Sequence, residues 1–188
     1  MSSRTLYLLG AAVFAFSGLA NLAVEALPAE AGGPEALLNF LGGAAGLLGL
    51  TAVYLWQRAE SGVLGGVGYG LAAAGAAGIV GFLFADGFVL RYLDPQVESE
   101  LMAGATGTAV FVSVLLYVLG NLIFWIATIR AGVLPRGAAV LVALGTLGIL
   151  TSEFAAAAVV SIAETVASIG ILWLSVALWR GAARLGSP

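Results

Sequence analysis

The chain has 188 residues, 61% of them hydrophobic and 9% charged, and a net charge of −3. Soluble domains carry about 25% charged residues, so a chain this apolar cannot clothe a globular surface with polar groups and reads as an integral membrane protein. It contains no cysteine, histidine or lysine, which excludes disulfides, thiol nucleophiles, Fe–S clusters, imidazole bases and haem ligands, lysine Schiff bases and the P-loop, and no basic patch points to nucleic acid.

A transmembrane helix needs roughly 20 mostly apolar residues. The first segment to qualify is 5–25, which carries Ser17, Asn21 and Glu25 at steps of four. Arg4, the apolar run and the A-x-A at Ala29–Ala31 also outline a secretory signal peptide, but the run is long for an h-region and is read as a retained span. The second segment, 36–56, holds Asn39 and the glycines Gly42, Gly43, Gly46 and Gly49; the third, 63–88, holds Gly66, Gly70, Gly75, Gly78, Gly81 and Asp86. Gly42–Gly46 and Gly66–Gly70 are both G-x-x-x-G, a pattern that lets helix backbones approach closely. It reads first as packing within the chain; the alternative is a face for a second copy or another membrane protein.

After Arg91, the stretch DPQVESE (94–100) reads as a polar turn. The fourth segment, 105–129, aligns Ser113, Tyr117, Asn121 and Thr128 on one face. The fifth, 137–154, contains Glu153, and only a short stretch separates it from the sixth, 159–179. On that last segment Ser161, Glu164, Ser168 and Ser175 follow one another at steps of three, four and seven, again one face.

The expected fold is therefore all-α: residues 1–188 as one polytopic six-helix transmembrane bundle of the cell membrane. Arg4, Arg58, Arg130, Arg136, Arg180 and Arg184 fall on one side of these segments. Glu25, Glu30, Glu35, Asp86, Asp94, Glu98, Glu100 and Glu153 fall on the other, and only Arg91 and Glu60 break the pattern. Arginine marks the cytoplasmic side, which places both termini in the cytoplasm, with Trp56, Trp125 and Trp179 at the inner helix ends. Abundant Ala, Gly and Arg without Lys suggest a prokaryote with a GC-rich genome.

Lipid cannot satisfy polar side chains, so the stripes on the first, fourth and sixth segments are expected to face one another in the bundle interior. A carboxylate at a helix centre costs about 2.5–3.5 kcal/mol on insertion scales, and Glu164 lies roughly 8 Å inside its segment. The candidates for an outward-facing cavity or an ion- or proton-binding site are Glu164, Glu25, Asp86, Glu153, Arg91, Asn21, Asn39, Asn121, Ser161 and Ser168. Glu164 could instead be held neutral, or pair with Arg91, Asn21 or Asn39. Asn121 could be interhelical glue, and the serines could bond only the preceding turn.

The stretch LGNLIFWIATIRAGVLPRGAAVLVALGTLGIL (119–150) joins the fourth and fifth segments through R-A-G-V-L-P-R. It resembles a bacterial family of small multi-pass membrane proteins that carries an unknown-function label; the likeness lies in the C-terminal part of the chain and implies no activity. Independently of the resemblance, Gly132 suits a helix C-terminus, Pro135 suits the first turn of the next helix, and Arg130 and Arg136 suit anionic headgroups.

The favoured functional reading is a cation- or proton-linked transporter or channel-like carrier. The alternative is a non-catalytic membrane subunit or scaffold that uses the glycine-rich second and third segments to bind a partner or a second copy. An intramembrane enzyme acting on lipid, with a carboxylate pair such as Glu153 and Glu164, is the third. No catalytic residue, metal ligand set or cofactor is assigned.

Overall fold

The structure, a computed structural model, describes residues 2–27, 33–151 and 157–185. Glu153, Glu30, the Ala29–Ala31 motif and the end of the expected fifth segment lie outside them. The described elements are helical throughout: α1 (Ser3–Ala26), α2 (Gly33–Phe88), a 3-10 turn (Leu90–Tyr92), α3 (Pro95–Ala103), α4 (Ala105–Ala131), α5 (Arg136–Thr151) and α6 (Ala157–Arg184). Four helices, α1, α2, α4 and α6, are long and apolar enough to cross a membrane, and α5 is shorter.

Only 22% to 28% of the residues in the spanning windows are buried inside the protein. Large apolar side chains such as Leu19, Leu48, Phe111 and Ile162 point outward. Apolar surface on this scale would be unstable against water and matches hydrocarbon.

The second helix would be roughly 84 Å long if straight, at ~1.5 Å per residue. Instead it reverses at Gly62, whose φ of 58° and ψ of −154° are open essentially only to glycine. The two arms, 33–61 and 63–88, then pack antiparallel. Phe40 meets Phe84 edge-on with ring centroids 5.6 Å apart, and Tyr54 stacks on Tyr69 at 4.3 Å with planes 4° apart. Thr51 and Tyr69 share a hydrogen bond of 3.0 Å. Hydropathy predicts a break across 57–62, whereas helix continues to Ser61 and one residue, Gly62, makes the turn.

The remaining helices close a ring. The first arm packs on α1, the second on α4, α4 on α5, α5 on α6, and α6 on α1. Small residues set these approaches. Gly42 and Gly46 of the first arm face Ala20 and Ser17 of α1, so this G-x-x-x-G is used within the chain. Between the second arm and α4 the contact is backbone to backbone. A Cβ on Gly75 would collide with the Tyr117 amide, and one on Gly120 with the Ala72 backbone.

Because α1 and α6 run antiparallel, with Gly18 beside Ile171 and Leu172 and Glu25 beside Ser161, Ser3 and Arg184 lie at the same end. Arg4, Arg58, Arg130, Arg136, Arg180 and Arg184 belong to this terminal end; Glu25, Glu35, Asp86 and α3 belong to the far end. The large buried side chains concentrate toward the terminal half: Phe14, Val53, Phe124, Trp125, Leu174 and Leu178.

Two connections have clear local causes. Gly132 takes the left-handed conformation (φ 66°, ψ 12°) and its N–H closes on Thr128 O at 3.1 Å, ending α4. At the far end the expected polar turn at 94–100 is instead the short helix α3. Asp94 caps it by accepting from Gln96 N at 2.9 Å, and Pro95 occupies its first turn.

Candidate functional site

The far half of the ring is where charged side chains enter the bundle. Glu25, on the last turn of α1, accepts a hydrogen bond from Ser161 of α6. Glu164, one turn further along α6, lies within electrostatic reach of the Glu25 carboxyl. The step of three from Ser161 to Glu164 puts both on the α6 face that meets α1. Tyr117 of α4 lies within electrostatic reach of Glu164 from across the ring. Glu25 is exposed, while Glu164, Ser161 and Tyr117 are half-buried. The site thus has an open edge at Glu25 and a closed inner side.

The other candidates are placed as follows. Ser168, one turn deeper than Glu164, is fully buried against α1 near Gly18, and its hydroxyl has no hydrogen-bond partner. Asn21, one turn before Glu25, turns toward the first arm, with Oδ1 3.5 Å from where a Cβ on Gly42 would sit. Asn39 and Asp86 are half-buried on the two arms near the far end, and Arg91 is exposed on the 3-10 turn. Arg91 makes no ion pair among the described residues. Asn121 is bound within its own helix: it donates to Tyr117 O at 2.9 Å and accepts from Trp125 Nε1 at 3.1 Å, so both ends of its amide are occupied. Among the described residues no group of three or more carboxylates forms a metal-binding set.

A second polar cluster, of which only Thr128 stands out in the sequence, lies in the terminal half. Gln57, fully buried, donates to Thr128 Oγ1 at 2.6 Å, and Thr128 donates in turn to Phe124 O at 3.0 Å. Gln57 Oε1 and the Ser61 hydroxyl are buried without partners. The signal for it was a glutamine four residues before a serine, but in LWQRAES both look like the polar end of a span.

No family model, curated protein or solved structure matches this chain. The functional argument therefore rests on geometry and chemistry.

Proposed function

We propose that the chain is a six-span protein of the cell membrane with both termini in the cytoplasm, and that it works as a cation- or proton-linked carrier whose binding groups are Glu25 and Glu164. The two arms of α2, together with α1, α4, α5 and α6, supply six alternating segments. The arginines gathered at the terminal end favour that end as the cytoplasmic one.

The observation that carries the reading is the carboxyl pair between α1 and α6. Two carboxylates this near each other repel when both are ionised, and taking up one proton or a cation between them relieves the repulsion. Such a pair can take a proton and a cation in turn, and intramembrane carboxyl groups mark such pathways. Ser161 supplies a neutral oxygen beside the pair. Asp86, Asn21, Asn39 and Arg91 belong to the same far end and are the further candidates for guiding an ion to the pair.

The test is charge movement in the purified protein, reconstituted in liposomes on a solid-supported membrane and given separate jumps in pH, Na⁺ and K⁺. A transient current for at least one of these ions, reduced at least tenfold in Glu164→Gln, is expected. Wild-type protein with no current for any of the three would end the carrier reading.

A second reading has its own observation. Gly70, Ala74, Ala77 and Gly81 form an exposed stripe on the second arm, and nothing lies within 4 Å of a Cβ on Gly70 or Gly81. A scaffold or homo-oligomer would pack there. Gly70→Leu with Gly81→Leu should then halve the mass of the detergent-solubilised particle, and an unchanged mass removes this reading.

A further inference from the structure

The terminal end contains a cavity of about 540 Å³ that the carboxyl site does not use. Ligand pockets run from about 300 to 1,000 Å³. It lies between the last turns of α6, the 132–135 turn joining α4 to α5, and Trp56 of the first arm. Its α6 wall is one helical face, Trp173, Val176, Ala177, Arg180, Gly181 and Arg184, at steps of three, one, three, one and three.

The walls divide by chemistry. Arg180 and Arg184, exposed and one turn apart, form the mouth, and neither has an ion-pair partner among the described residues. Arg136 borders the same mouth, since a Cβ on Gly132 would meet its Nη2 at 3.2 Å. Beside them buried Leu134 and the more open Val133, Val176 and Ala177 add an apolar wall to an otherwise polar lining. The ring of Trp56 lies over Gly181, where a Cβ would meet it at 2.6 Å, and Tyr7 braces that ring edge-on at 4.9 Å. Trp173 closes the opposite side over Gly137.

An open cavity that sets unpaired guanidinium groups beside an apolar wall fits a ligand with a phosphate at one end and hydrocarbon at the other. We infer that this cavity binds the headgroup and upper acyl chains of an anionic glycerophospholipid. Guanidinium forks match phosphate oxygens bidentately, and tryptophan rings suit the headgroup level. Basic pockets between membrane helices on the cytoplasmic side hold such lipids. A free phosphate would use the arginines and leave the apolar wall unused. The inference depends on the terminal end lying at a membrane surface and is independent of carrier activity.

The test uses the full-length protein in nanodiscs of brominated phosphatidylglycerol or brominated phosphatidylcholine, each diluted into unlabelled phosphatidylcholine, and reads tryptophan quenching. Quenching at lower mole fractions of phosphatidylglycerol is expected. One arginine near the surface strengthens anionic-lipid binding about fivefold, so Arg180→Gln with Arg184→Gln should weaken the preference by roughly 25-fold. Removing both charges could disturb insertion. Gly181→Val keeps them, forces Trp56 into the cavity, and should also abolish the preference. Equal quenching by the two lipids, or a preference unchanged in Gly181→Val, would overturn the inference. Loss of the preference in 20 mM inorganic phosphate at matched ionic strength (roughly one Debye length near 10 Å in both samples) would overturn it too, by assigning the site to free phosphate.

Discussion

Gln57 and Thr128, 71 residues apart, meet inside the bundle through a 2.6 Å hydrogen bond between two side chains with no solvent exposure. The bond joins the inner end of the first arm to α4, and it is unequal. Thr128 both accepts from Gln57 and donates to Phe124 O, whereas Gln57 leaves Oε1 unpaired. Losing Thr128 therefore strands both ends of a buried amide, while losing Gln57 removes an acceptor that had no donor.

The energetic consequence is a pair of unequal substitutions. Thr128→Val should destabilise the bundle by about 1–2 kcal/mol, since a stranded buried polar group costs its desolvation. Gln57→Leu should cost less, and the double variant should be more stable than Thr128→Val alone. Unfolding by SDS titration in mixed micelles, run as a double-mutant cycle, reads all three. Additive losses would contradict the pairing.

The interface between the second arm and α4 predicts a contrast among glycines. Ala at Gly75 or Gly120 would meet backbone, which no rotamer change can relieve, and should cost about 1–3 kcal/mol. Ala at Gly70 or Gly81 meets nothing and should stay within about 0.5 kcal/mol of wild type. Thermal unfolding of the four variants in detergent checks this, and equal effects would mean that these helices do not touch.

Two other glycines differ through backbone conformation. At Gly62 the positive φ comes with an extended ψ, so Ala should cost about 1–3 kcal/mol. Gly132 sits in the ordinary left-handed well that asparagine tolerates, so Gly132→Asn should be nearly silent. The Arg136 side chain near its Cβ position is flexible enough to move. Reversed sensitivities in a stability assay would count against the reversal at Gly62.

The chain has no cysteine, so introduced thiols report water access without background. In intact cells, a membrane-impermeant maleimide should label Glu164→Cys and a control Gln96→Cys on exposed α3. It should leave Ser168→Cys unlabelled, because Ser168 is fully buried. Equal labelling at 164 and 168 would show that water passes deeper than the half-buried carboxyl. Labelling at neither 164 nor 168 beside a labelled control would close the site from outside.

Much of this architecture was legible from hydropathy. The apolar runs 36–56 and 63–88 correspond to the two arms, and the first and sixth stripes contain Glu25, Ser161 and Glu164, which meet between α1 and α6, whereas the fourth stripe packs against the second arm through Ser113 and the Tyr117 backbone instead of meeting α1 and α6. Spacing identifies a face but not a partner. Asn121 shares the stripe of Tyr117, yet its amide turns back on its own helix to Tyr117 O and along it to Trp125. Gln57 escaped notice because a span end beside Arg58 is an ordinary place for a polar residue in water, and only the docking of α4 buries it. Charge and Asp94-Pro95 read equally as a turn, so helix α3 is not legible from them alone. The same two residues are an N-cap and a first-turn proline, with Glu98 placing a negative charge in the first turn.

The reversal at Gly62 has a consequence for how the chain is threaded. Each change of direction inverts the side on which every later element emerges. An unbroken helix through residue 62 would be a rod more than twice the ~30 Å hydrocarbon thickness. Arg130, Arg136, Arg180 and Arg184 would then leave the bilayer opposite Arg4 and Arg58. The backbone handedness of one residue thus sets the parity of the path from residue 62 onward. In the proposed topology, arginines on both sides of it in the sequence call for the same parity through charge, so backbone and charge there give two separate instructions that agree.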